Sequence, residues 1–193
     1  MLDLTLDAEA LAPLLVGARV RSGEVTIELT EVEAYAGGDD PAAHAFVGPR
    51  PRTRDLFGPP GTLYCYLSHG LHICGNITCG DGSGAAVLLR AGRVVAGLGV
   101  ARARRPGVAD VGLAQGPGNF GRAIGWTLAD SGSRFGDGEL ELLAPVGSRR
   151  VSSGPRVGVS VAHVRPWRFW AEGDHTVSVY RPSPRIPPGS LDW

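Results

Sequence analysis

Between Gly61 and Arg90 the apolar positions of the chain fall into three runs separated by turn residues. Leu63–Ser68 (LYCYLS) lies between Pro59-Pro60-Gly61 and His69-Gly70 and predicts a short strand. Leu71–Cys79 predicts a second, closed by the turn-rich GDGSG. Ala85–Leu89 is continuously apolar and ends in Arg90, the pattern of a strand buried on both faces. The first two runs predict a hairpin tipped by Ser68-His69-Gly70 and projecting from a sheet. Its Tyr64, Tyr66, His69, His72 and Asn76 are too many for a plain core hairpin.

Val25–Tyr35 alternates in strand fashion. Val25, Ile27, Leu29, Glu31, Glu33 and Tyr35 share one face; Glu24, Thr26, Glu28, Thr30 and Val32 share the other. The first face begins apolar and ends in carboxylates, which places Glu33 at the rim of the sheet. Asp7–Val16 reads as a helix with acids in its first turn, disturbed by Pro13. The residues after Arg90 read as a strand end and a short helix, and Leu113–Trp126 as a GPGN turn followed by a helix. Glu139–Leu143, Arg156–Val164 and Val177–Tyr180 read as strands, Gly147–Pro155 as a loop. Pro166–Ala171 reads as an aromatic segment packing the end of the sheet. Two long loops, Ala36–Phe46 and Arg50–Gly61, interrupt the pattern. Arg50, Arg52 and Arg54 alternate in the second, so an extended backbone would point them together at a phosphate backbone.

Composition sharpens this picture. The 193 residues are enough for one domain with a real core. Gly 29 and Pro 15 favour turns and short strands over long helices. No apolar stretch reaches membrane-spanning length, and the N-terminal residues are acidic where a signal peptide would be basic. Three cysteines, an odd number, point away from a disulfide framework and towards a reducing cytoplasm. A net charge of +0 predicts no acidic partner by itself. Its distribution says more: Arg90, Arg93, Arg102, Arg104 and Arg105 follow one another with no acid among them. A basic side of this kind can meet phosphates. The chain has no lysine, which excludes a side-chain Schiff base.

His69, His72, Cys74 and Cys79 lie close in sequence, but their spacing fits no common zinc site, and strand alternation splits them between two faces. No metal is therefore expected. No GxSxG elbow occurs, and GPGNFGR matches neither a Walker loop nor GxGxxG. What stands out is one carboxylate, Glu33, among Tyr35, His44, Tyr64, Tyr66 and His69, with Asn76 and Arg90. Aromatic walls suit a planar ligand, an amide can read its edge, and a carboxylate can activate water. That inventory fits a pocket for a flipped base. The residues alone leave two readings open: a base-excising enzyme, or a module that captures a flipped or single-stranded base without cleaving it. A pure binder has no need of the carboxylate. A formyl- or methyltransferase is disfavoured because no cofactor loop is recognisable.

TEVEAYxGxxDxAAH at Thr30–His44, GTLYxYxxxG at Gly61–Gly70, CxNI at Cys74–Ile77, AAVLLRA at Ala85–Ala91, GPGNF at Gly116–Phe120 and RVGVS…RPWRF within Arg156–Phe169 resemble the alkyladenine (3-methyladenine) DNA glycosylase family. The resemblance implies a single α+β domain over residues 1–193: a curved antiparallel sheet with peripheral helices and a hairpin that enters the DNA minor groove. It implies a cytoplasmic monomer acting on double-stranded DNA that carries a damaged purine, without metal or cofactor. By position, Glu33 would be the general base. Tyr35 would stack on one face of the flipped base, and His44 and Tyr66 on the other. The His44 N–H would read the base edge, and Asn76 would crowd the amino group of normal guanine. Arg90 and the Val157 carbonyl would hold the water and the flipped nucleotide, with Arg52 and Arg54 near phosphate. His69 would take the wedge position, where the family's best-known members have tyrosine. Lacking lysine, such an enzyme would be monofunctional.

The pocket assignment carries a geometric demand. A two-residue turn at His69-Gly70 would set Tyr66 opposite Ile73 and turn Asn76 to the other face. A longer tip loop or a bulge is therefore expected, with Gly70 supplying positive φ. The Pro-rich tail from Pro182 is expected to be loosely ordered.

Overall fold

In the computed structural model, which describes residues 2–186, a strongly curled antiparallel sheet forms a half-barrel with three helices around it. The strands are β1 (Arg19–Ser22), β2 (Val25–Ala36), β3 (Leu63–Ser68), β4 (His72–Thr78), β5 (Ala85–Ala96), β6 (Ala114–Gln115), β7 (Leu140–Leu143), β8 (Val151–Gly154) and β9 (Arg168–Ala171). Their order is β3-β4-β5-β2-β1-β7; β6 pairs antiparallel with β5, and β9 pairs with β2 and carries β8. The helices are α1 (Ala8–Leu15), α2 (Leu98–Arg104) and α3 (Pro117–Ile124). The fold is α+β. Among the described residues no helix is long and apolar enough to cross a membrane.

The two long strands, β2 and β5, hold the centre, and their pairing contains a matched pair of irregularities. Leu29 pairs with Gly92, Glu31 with Ala91 and Val32 with Leu89, so Thr30 and Arg90 are each left out of the ladder. An extra residue reverses which way the following side chains point. Before it, Val25, Ile27 and Leu29 face the core; after it, Val32 and Ala34 do. Glu31, Glu33 and Tyr35 are thereby turned away from the core. This corrects the single uninterrupted face expected for Val25–Tyr35. The bulge falls where the outer partner of β2 changes from β1 to β9.

Helix α3 buttresses the hairpin formed by β3 and β4. It starts on Pro117, whose fixed φ and missing N–H suit a first helical position, and stops at the left-handed Gly125. It buries Phe120, Ala123 and Ile124. At Gly121 the helix lies directly on β4, where a Cβ would sit 2.0 Å from the Ile73 carbonyl oxygen. In the hairpin, Tyr64 pairs with Asn76, Tyr66 with Cys74 and Ser68 with His72, leaving a three-residue tip of His69-Gly70-Leu71. Both His69 (φ 50) and Gly70 (φ 69) are left-handed. The longer tip that the pocket demanded is present, and Tyr66 and Asn76 share a face.

Several expected elements differ. Strand β5 does not end at Arg90 but runs on to Ala96. The loop expected at Gly147–Pro155 contains β8, and β9 forms inside the aromatic segment. Arg156–Val164 is not a strand despite its alternation, because Gly158 (φ 72) and Ala162 (φ 49) leave the extended region. Val177–Tyr180 is not a strand either; the Ser178 N–H bonds a side chain, Glu31, instead of a neighbouring strand. In the tail, Ser183 and Ile186 are buried, so looseness does not begin at Pro182. Positions 187–193 lie outside the described residues.

The α3 contact yields a test. Gly121→Ala is expected to destabilise the protein by about 1–3 kcal/mol, because backbone rather than a flexible side chain must yield. Urea unfolding should show a lower midpoint with an unchanged slope.

Candidate active site

The β2 and β5 bulges set Glu31, Glu33 and Arg90 together on the side of the sheet away from the core. Glu33 is fully buried, not at the rim. Rim placement assumed an unbroken period of two, which the bulge at Thr30 removes. One Glu33 oxygen, Oε1, accepts the Val157 N–H at 2.6 Å. The other, Oε2, accepts the Tyr35 hydroxyl at 2.9 Å and faces Arg90 Nη1 at 3.3 Å. Val157 thus meets Glu33 through its N–H.

Arg90 is held from behind. Its Nε donates to Glu31 Oε1 at 2.8 Å, and that oxygen also accepts Arg168 Nε at 2.7 Å and the Ser178 hydroxyl at 2.9 Å. Glu31 Oε2 accepts the Ser178 N–H at 2.7 Å. Arg168, Glu31, Arg90 and Glu33 form a buried row of alternating charge, two of each sign. Such a row is tolerable away from water because each ion has opposite charges and hydrogen bonds to replace hydration. Burial pushes the Glu31 carboxyl up, but the Arg90 and Arg168 guanidiniums outweigh it and hold the group below its usual value. Burial opposes the charge on Arg90, and Glu33 and Glu31 more than restore it. Burial, then the Glu33 charge, raise the Tyr35 phenol well above its ordinary value of 10.0, so Tyr35 stays a donor.

Beside this row lies a narrow slot of about 70 Å³ walled by Tyr35, His44, Tyr64, Tyr66, Asn76 and Leu88, among others. His44 meets Tyr66 edge-on at 4.6 Å, and its Nδ1 lies 3.2 Å from the Tyr64 hydroxyl. Asn76 donates from Nδ2 to the Tyr64 carbonyl at 3.2 Å. Burial, and secondarily Arg52, lower the His44 pKa from its ordinary 6.5, which favours a neutral imidazole. Burial raises the Tyr64 phenol to about 12.

The slot adjoins two open clefts. One, about 450 Å³, includes Arg90, Val157, Tyr66, His69 and His72 in its wall. The other, about 670 Å³, includes Arg52, Arg54, His44, Tyr66 and His69. The structure therefore gathers every candidate residue around one site: Glu33, Arg90, Tyr35, His44, Tyr66, Asn76, Val157, His69, Arg52 and Arg54. Arg50 lines neither cleft. Of the four residues that invite zinc by proximity in sequence, Cys79 is in the hydrophobic core and Cys74 faces Tyr66. Among the described residues no group of three or more His, Cys, Asp or Glu could hold a metal ion.

Sequence reasoning gave no role to Asp40, Arg156, Arg168 or Ser178. Arg156 is fully buried against Asp40 and lies over the Tyr35 ring at 4.6 Å. Asp40, Arg156 and Arg168 stand inside the family-like blocks, which is the one signal that marked them, and Ser178 stands outside.

A family model described as Methylpurine-DNA glycosylase (MPG) matches residues 3–175. This chain belongs to that family. Among its relatives, one from Nocardia farcinica is 50% identical over 197 residues, covering 96% of this chain and 92% of the relative. One from Cutibacterium acnes is 50% identical, covering 92% and 98%. One from Mycobacterium leprae is 46% identical, covering 98% and 93%. All three carry the provisional name 3-methyladenine DNA glycosylase. The chain is a DNA glycosylase, a hydrolase of N-glycosyl bonds, and DNA is its partner.

The buried row predicts an acid-sensitive stability. Glu31 titrates lower in the folded chain than its ordinary 4.5. The unfolded chain therefore takes up that proton first, so the contribution is whole above 4.5 and is lost as pH falls through the folded value. Glu31→Gln leaves Arg90 and Arg168 undercompensated and should cost about 3–5 kcal/mol at neutral pH. Melting curves should show wild type losing more stability than the variant as pH drops from about 5 to 3.

Proposed function

We propose that this glycosylase removes alkylated or deaminated purines (3-methyladenine, 7-methylguanine, hypoxanthine, ethenoadenine) by flipping them into the aromatic slot and hydrolysing the bond with water activated by Glu33. The observation that carries this reading is Glu33 itself: a fully buried carboxylate, pinned on both oxygens, beside a slot with planar walls. A non-catalytic binder has no use for it.

Three donors occupy the two oxygens, leaving room among roughly four lone-pair positions for one water. Arg90 sets a positive charge 3.3 Å from the carboxylate that takes the proton. The water oxygen bonds to the sugar C1′, its proton passes to Glu33, and the glycosidic electrons leave with the base. As the bond stretches, positive charge grows on the sugar and the carboxylate stabilises it. Tyr35 stacks on one face of the base, and His44 and Tyr66 close the other. Asn76 excludes normal guanine, and His69 fills the gap in the duplex. Arg52 and Arg54 hold phosphates. Alkylation at N3 or N7 makes a purine cationic, which helps it to leave and attracts it to tyrosine faces. The enzyme works as a monomer and, having no lysine, leaves the DNA backbone intact.

Glu33→Gln should lower single-turnover release of 3-methyladenine and hypoxanthine from duplexes by about 10²–10⁴-fold while duplex binding persists. Wild-type product strands should break only after alkali. Undiminished release by the variant would overturn the mechanism.

A further inference from the structure

Arg156 heads the fully buried side chains by size, and the reaction above gives it no task. Nη1 and Nη2 both reach the Asp40 carboxylate, the second at 3.0 Å, and Nη1 also donates to the Ala34 carbonyl at 3.1 Å. The guanidinium lies between two rings, 4.6 Å from the Tyr35 centroid and 5.2 Å from that of Trp167. Arg165 covers Trp167 at 4.5 Å and stands 3.8 Å from Asp40. Tyr35 lines the slot, whereas Arg156 does not. The cation is therefore behind the ring on which the flipped base stacks.

We propose that the Asp40–Arg156 pair sets the enzyme's preference between cationic and neutral purines, by fixing the net charge behind Tyr35. This rests on the reading of the slot as the base site. A stacked base would sit about 3.5–4 Å in front of Tyr35, roughly 8 Å from the guanidinium. An unbalanced cation there acts twice against an alkylated base: it repels the charge directly, and it draws on the same π-electrons that attract a cation. At an effective dielectric constant near 20 the repulsion corresponds to roughly tenfold or more in affinity. A neutral purine such as hypoxanthine is nearly indifferent to it. With Asp40 in place the carboxylate cancels the charge, and the guanidinium serves as a flat, firm backing. Arg165, with its side chain 36% exposed, is a weaker second cation behind the same stack.

The readout is the ratio of single-turnover release rates for duplexes containing 7-methylguanine and hypoxanthine, with folding checked by thermal melting. Asp40→Asn should lower that ratio about tenfold. Combining it with Arg156→Gln should bring the ratio back towards wild type even though both rates fall. Arg165→Gln, at a solvent-reached position, should raise the ratio about twofold. A pair that only braces the fold would slow both substrates equally, so an unchanged ratio in Asp40→Asn overturns the proposal. If Asp40→Asn does not fold, an unchanged or lower ratio in Arg165→Gln overturns it instead. Wild type that releases neither base would count against the proposed function, a different outcome from an invariant ratio.

Discussion

A carboxylate shut away from water has to be given substitutes for the water it lost, and that demand organises this molecule. Taking an ion into the interior costs several kcal/mol unless opposite charges and hydrogen bonds take over. Glu33 alone could not meet that demand. It is satisfied by Arg90, which needs Glu31, which also engages Arg168 and both the N–H and the hydroxyl of Ser178. These groups come from β2, β5, β9 and the segment beyond β9, and Val157 adds a loop. One electrostatic row therefore ties together five stretches of chain drawn from three separated regions of the sequence.

Two register devices make the row and the slot coincide. The unpaired Thr30 and Arg90 turn the second halves of β2 and β5 over, so acids and arginine leave the core side while Val32 and Leu89 stay packed within it. The three-residue tip of the hairpin puts Tyr64, Tyr66, Cys74 and Asn76 on one face. Helix α3 presses on β4 at Gly121 with no side chain between, which leaves the hairpin little freedom to tilt. The geometry of the candidate site follows from where extra residues fall, together with which side chains the strands carry.

Much of this was legible beforehand. Leu63–Ser68 is a strand with the predicted bounds, and the need for Tyr66 and Asn76 in one pocket foretold the long tip. What escaped is also physical. Alternation assumes a uniform strand and so reads Glu33 as a rim residue, a placement that the Thr30 bulge overrules. Arg156–Val164 alternates by composition, but left-handed residues break it into turns, and Val157 offers its N–H to Glu33 from one of them. Partners 116 and 137 residues apart, Asp40 with Arg156 and Glu31 with Arg168, leave no periodic trace at all.

The matched bulges constrain how the gene can change. Thr30 and Arg90 stand on facing strands as the extra residues, so removing them would leave regular pairing with Glu33 and Tyr35 still facing away from the core. Keeping both but pairing the strands without a break would instead rotate Glu33 and Tyr35 inward with Ile27 and Leu29, giving a sounder sheet with no site. Substitutions here are tolerable only where the strands still break step, a demand that the remote loops do not share.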